Sequence, residues 1–165
     1  MLKKCILLIL FLQLFCISVN AAEYMAVDGD SLVRGEQRIR LDGIDAPEFT
    51  QTCFDSKNKE YACGLTSLQY LEQLIEGKTV HCDCLPYKDK YKREICECYA
   101  DGVSLNRAMV AAGNAVTYRS EKYQSDEKSA QSSKKGIWQG KFMRPALYRA
   151  LSRLQNQATS DESMQ

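Results

Sequence analysis

Apolar residues recur along this chain with two different periods. In residues 37–41, Ile39 and Leu41 alternate with Arg38 and Arg40, so the two arginines share the face opposite the two aliphatics. Residues 31–34 pair with this stretch as a hairpin about Gly35-Glu36, and residues 24–28 read as the strand before it. Pro47 ends the run: it lacks an amide hydrogen for a ladder and forces Ala46 to be extended. Glu48 therefore stands on a turn at a strand end. Residues 50–61 are polar and loop-like. Residues 64–76 change to the helical period, with Leu65, Leu68, Leu71 and Ile75 as an apolar stripe and Gly77 as the stop. Residues 78–84 and 94–99 form a second candidate hairpin. Ser104 caps a helix running to about Ala112 and closed by Gly113. A polar helix over residues 123–135 ends at Gly136, and Trp138 packs after it. Residues 145–154 read as one more helix, and residues 155–165 as a frayed polar tail. Strands, a helix, a hairpin and then helices predict an α+β domain around a five-stranded barrel with about three packed helices.

The N-terminus adds a targeting signal. Lys3 and Lys4 precede an apolar run ending near Val19, and Asn20-Ala21-Ala22 follows. That order describes a cleaved secretory signal over residues 1–22. The run is shorter than the ~20 residues a membrane span needs. The mature chain is then one domain over residues 23–154 with the tail behind it. It is expected to be secreted or periplasmic, free of the membrane, and monomeric. Without Lys3 and Lys4 the balance of 22 Lys+Arg and 21 Asp+Glu becomes a net charge of −1. A chain so close to neutral does not attract nucleic acid through its global field, so any such attraction must be local.

Cysteine usage agrees with export. Cys53, Cys63, Cys82, Cys84, Cys96 and Cys98 remain after the signal, an even number. A Cys53–Cys63 bridge closes a short loop at the entrance to the first helix. Cys82-Asp83-Cys84 and Cys96-Glu97-Cys98 each put two thiols on one strand face. If Cys82 lies opposite Cys98 in an antiparallel pair, Cys84 falls opposite Cys96, and two bridges lie side by side. The rival is a four-thiolate zinc site, whose ligands are usually separated by two to four residues rather than one. His81, the only histidine, supports no Ser-His-Asp or Cys-His system.

Candidate chemistry gathers at residues 27–48. Asp28, Asp30, Asp45 and Glu48 fall within about twenty residues, with Arg40 between them. Carboxylates in number suit a hard divalent cation. A guanidinium beside them suits phosphate, whose oxygens it grips two at a time. The loop Pro86-Tyr87-Lys88-Asp89-Lys90-Tyr91-Lys92-Arg93 is basic and carries two aromatics, a composition that contacts phosphates and stacks bases.

These segments closely resemble the staphylococcal nuclease (thermonuclease) family. The likeness runs from about Tyr24 to Trp138 and rests on four stretches: residues 27–48, Asp89-Lys90-Tyr91-Lys92-Arg93, Tyr99-Ala100-Asp101-Gly102, and Lys134-Lys135-Gly136-Ile137-Trp138. Lys92 stands where the family carries glycine. The resemblance implies an OB-fold barrel and a Ca²⁺-dependent nuclease acting on DNA and/or RNA, single strands especially, and leaving 3′-phosphate ends. It implies Asp30, Asp45 and the carbonyl of Ala46 as Ca²⁺ ligands, with Asp28 behind them. It implies Glu48 as the residue that orients or deprotonates the attacking water, and Arg40 and Arg93 as the catalytic arginines. Lys90, Tyr91 and Tyr118 fall at its nucleotide pocket. Two other readings stay open: an OB module that binds without cutting, and an exported protein using its carboxylates only for structural calcium. The filled set of site positions argues against the first.

Overall fold

The computed structural model describes residues 23–162, with side chains through Ser160. The expected signal sequence lies outside the described residues. Strands β1 (Tyr24–Asp28), β2 (Ser31–Arg34) and β3 (Gln37–Leu41) form an antiparallel meander. Ile39 and Leu41 are buried, while Arg38 is exposed and Arg40 half-buried, so the alternation in the sequence sets the faces of β3. Strand β4 (Ile44–Asp45) follows at the corner. Two short paired strands, β5 (Cys53–Phe54) and β6 (Glu60–Tyr61), occupy the stretch expected to be loop.

Helix α1 (Cys63–Ile75) packs against β1. Its buried stripe is Gly64, Ser67, Leu71 and Ile75, whereas Leu65 is 37% exposed. The expected stripe is thus turned, and Gly64 gives the reason. A Cβ there would come within 1.7 Å of the Glu48 carbonyl oxygen, so the helix enters with its glycine against that turn. The hairpin of β7 (Val80–Lys88) and β8 (Glu94–Ala100) comes next, and β8 also runs parallel to β3. The principal sheet is therefore ordered β1-β2-β3-β8-β7, with β9 (Val103–Ser104) on β8. Cys82 pairs with Cys98 and Cys84 with Cys96 in register, and both pairs are bridged, as is Cys53–Cys63.

Helix α2 (Leu105–Ala111) starts where Ser104 accepts the Arg107 amide at 3.2 Å. Its Asn106 is fully buried and structural: it accepts the Cys98 amide and donates to the carbonyls of Asp42 and Cys96. Strand β10 (Val116–Thr117) pairs with β4. Helix α3 (Gln124–Ser132) and a 3-10 turn (Gly136–Gln139) follow. Helix α4 (Pro145–Glu162) extends past Leu154 through the stretch expected to fray. It meets no proline or glycine along that length, so nothing stops it. The curled five-stranded sheet, with four helices around it, is an α+β OB fold. The main core, among it Leu32, Ile39, Leu41, Leu71, Leu105 and Met109, fills the space between sheet and helices. Among the described residues, no helix is long and apolar enough to cross a membrane.

Candidate active site

The acidic corner is built by two close approaches. Between β1 and β2, Asp28 accepts the Asp30 amide at 3.0 Å and forms a side-chain turn. Gly29 sits inside that turn, where a Cβ would lie 2.7 Å from the Cβ atoms of both Ala46 and Ser67. The turn can therefore settle on the β4 segment and on α1. Asp30 is thereby buried, and its carboxylate accepts the Ala46 amide at 2.9 Å. Burial pushes its pKa up to about 7, against the lowering effect of Arg40, and the neighbouring Asp28 and Asp45 charges push the same way.

Arg40 projects from the polar face of β3 into this corner. Its guanidinium lies 2.5 Å from Asp30 Oδ2 and 3.1 Å from Asp45 Oδ1, and it donates to the Ile44 carbonyl at 2.8 Å. Glu48 follows on a turn fixed by Gln51. The Gln51 side chain accepts the Glu48 amide at 3.2 Å and donates to the Met143 carbonyl at 2.7 Å. The Cys53–Cys63 bridge clamps the same segment beside α1. Gln51, fully buried, was not singled out from the sequence, where it reads as a loop polar residue.

The second arginine comes from the other side. Asp89 Oδ1 accepts the amides of Tyr91 and Arg93, and Asp89 Oδ2 pairs with the Arg93 side chain at 2.8 Å. These bonds hold the Asp89 carboxyl below the usual range against some burial. Lys92 takes the left-handed conformation (φ 62°) that the glycine it replaces would adopt without strain, so the turn survives the replacement. Arg93 reaches Ser31 Oγ at 3.5 Å, and Ser31 in turn lies 3.1 Å from Asp30. A chain of polar contacts thus links Arg93 through Ser31 and Asp30 to Arg40.

A cleft of about 1000 Å³ unites these pieces. Its walls include Asp28, Asp30, Arg40, Glu48, Lys90, Tyr91, Arg93 and Tyr118. Asp45 is 1% exposed beneath it, and Ala46 is buried with its amide turned to Asp30. Eight of the expected residues thus line one cleft, while Asp45 and Ala46 lie buried beneath it and are not part of its wall.

One cation there was not anticipated. Arg149 of α4 spans Asp45, with its two terminal nitrogens 2.8 and 3.0 Å from the two carboxylate oxygens, and it reaches Glu48 at 2.7 Å. Both acids hold its pKa above that of a free arginine despite desolvation. No sequence signal marked it, because it lies 101 residues from Glu48.

The oxygen-rich donor set fits a hard divalent cation. Asp30 pairs with Arg40, and Asp45 is forked by Arg40 and Arg149, so a divalent cation entering this corner would take carboxylate oxygens that guanidinium groups now hold.

A curled OB sheet with two arginines and a half-exposed acid, Glu48, above a carboxylate floor defines a hydrolase of the nuclease class. The chain belongs to the staphylococcal nuclease homologue family, whose model matches residues 38–140. Members of that family use a divalent metal ion. The chain is 33% identical over 150 residues to an uncharacterized endonuclease of Escherichia coli O157:H7, covering 82% of this chain and 90% of that one. It is 32% identical over 117 residues to the succinoglycan biosynthesis protein ExoI of Rhizobium meliloti (strain 1021), covering 68% of this chain and 61% of the relative. It is also 30% identical over 114 residues to the probable staphylococcal-like nuclease CAN1 of Oryza sativa subsp. japonica, covering 67% of this chain and 31% of that protein.

Proposed function

We propose that this chain is an exported, Ca²⁺-dependent nuclease that hydrolyses phosphodiester bonds of DNA and/or RNA, single strands preferentially, and leaves 3′-phosphate ends. The observation that carries the reading is the convergence of Arg40, Glu48 and Arg93 on one cleft whose floor is acidic. Asp30, Asp45 and the Ala46 carbonyl would hold the ion, and Asp28 fixes the turn that presents Asp30. An ion held there would supply Lewis-acid stabilisation of the negative charge that builds on the non-bridging phosphate oxygens. Glu48, the more exposed acid, accepts a proton from water aimed in line with the leaving 5′ oxygen. Arg40 and Arg93 approach the phosphate from two walls and stabilise the added charge of the transition state. Lys90 binds a neighbouring phosphate, while Tyr91 and Tyr118 pack on the nucleotide. Three disulfides suit a secreted or periplasmic home for a monomer.

The test uses purified chain with heat-denatured DNA and with RNA, in Ca²⁺ and in chelator. Fragments should accumulate only with Ca²⁺ and should resist ligation at their 3′ ends until treated with phosphatase. Retention of labelled strand without shortening would instead identify a binding module.

A further inference from the structure

Helix α4 docks the wrong way round for an ordinary amphipathic helix. Leu147, Leu151 and Leu154 form its apolar side, and they are 54%, 40% and 61% exposed. The side it turns to the cleft carries Ala146, Arg149, Ala150 and Arg153, at spacings of three, four and seven residues. Hydrophobic burial therefore does not orient this helix. Charge does, through Arg149 on Asp45 and Glu48, helped by Tyr148 on Thr50. Arg153 lies one turn further along the same side and makes no ion pair or hydrogen bond among the described residues. Arg149 is met by Asp45 and Glu48, whereas Arg153 faces the same cleft with no carboxylate on it, so an anion entering there would find an unneutralised guanidinium. The helix also lies beyond residues 38–140, the stretch the family model matches.

Arg149 and a bound cation compete for the same oxygens. The guanidinium occupies both carboxylate oxygens of Asp45, so an ion taking one of them breaks the fork. The freed guanidinium remains anchored on α4 in a cleft that already holds Arg40 and Arg93. We propose that the Arg149–Arg153 side of α4 is a phosphate-binding wall of the nucleic-acid cleft, with Arg149 passing from Asp45 to a strand phosphate when Asp45 takes a divalent cation. This rests on the nuclease reading of the cleft. Ala146 and Ala150 give this side of the cleft short side chains between the arginines.

The experiment measures binding of a fluorescein-labelled single strand by anisotropy, using the full chain with Glu48→Gln to prevent cutting; the amide keeps an acceptor for Arg149. In Ca²⁺, Arg149→Ala should weaken binding about tenfold and Arg153→Ala about threefold, each lowering the salt slope by about 0.7. In chelator, Arg149→Ala should match its parent while Arg153→Ala stays weaker. Calorimetry without nucleic acid should show tighter Ca²⁺ binding by Arg149→Ala, since a competitor is gone. Arg149→Gln repeats every arm should the alanine variant unfold. Unchanged strand affinity and salt slope in both variants would overturn the proposal, leaving α4 a brace. Equal losses for Arg149→Ala with and without Ca²⁺ would overturn the exchange. Binding that needs these arginines, together with a chain retaining Glu48 that never shortens the strand in Ca²⁺, would sink hydrolysis and leave the α4 wall standing.

Discussion

On the β7–β8 hairpin, Cys82–Cys98 and Cys84–Cys96 tie adjacent strands together, with Cys96 and Cys98 wholly buried. At the β3–β4 corner, Asp30, Asp45 and Glu48 are held by the guanidinium groups of Arg40 and Arg149. The first region is closed by bonds that do not exchange in an oxidising compartment. The second is closed by cations, which a metal ion or a substrate can replace. Support and chemistry are thus assigned to different kinds of bond, and each region should fail in its own way.

The largest effects should come from the corner and its facing loop. Glu48→Gln, Arg40→Ala and Arg93→Ala are each expected to cut turnover by ~10²–10³, with melting temperature little changed for Glu48→Gln and Arg93→Ala but lowered for Arg40→Ala, which leaves the buried Asp30 without its guanidinium. A wild-type rate in any of them, measured on denatured DNA in Ca²⁺, would remove that residue from the mechanism. The hairpin should show the reverse. Replacing Cys84 and Cys96 together by serine is expected to lower stability by about 3 kcal/mol in urea melts while the rate below the transition stays near wild type. Lost turnover in the folded variant would mean that the bridge also aims Arg93, and the contrast between the regions would break.

A smaller effect sharpens the electrostatic side. Asp30 has a pKa pushed up to about 7 by burial, so its folded form binds a proton that the unfolded chain has released by about pH 4. Folding stability from this group therefore falls as pH rises from about 4 to about 7 in chelator. In urea melts across that range, Asp30→Asn should lack this decline, so its stability should gain on wild type as pH rises. Parallel pH profiles would show that Asp30 is charged throughout, its pairing with Arg40 outweighing burial.

Much of the barrel was legible beforehand because strand period and turn chemistry act locally. The alternation of Ile39 and Leu41 with Arg38 and Arg40 set the faces of β3. The one-residue spacing of each cysteine pair led to the bridges found, since side chains two apart share a strand face. Ser104 and Gly113 marked the ends of α2 by capping. The buried stripe of α1 was less legible: apolar spacing pointed to Leu65, but the approach of Gly64 to the Glu48 carbonyl turned the helix. That contact joins segments sixteen residues apart, and no local period records it.

Local patterning was enough for β1 to β3, the β7–β8 hairpin and the set of acids and arginines beside them, because period, caps and residue chemistry act over a few residues; it offered the disulfide register only if Cys82 met Cys98, and it missed β5 and β6. It took the folded chain to show that Gln51 props the Glu48 turn and that Arg149 closes on Asp45 and Glu48. Both depend on distant backbones being brought within hydrogen-bond reach, and the exposed leucines of α4 show that hydrophobic patterning alone would have turned that helix another way.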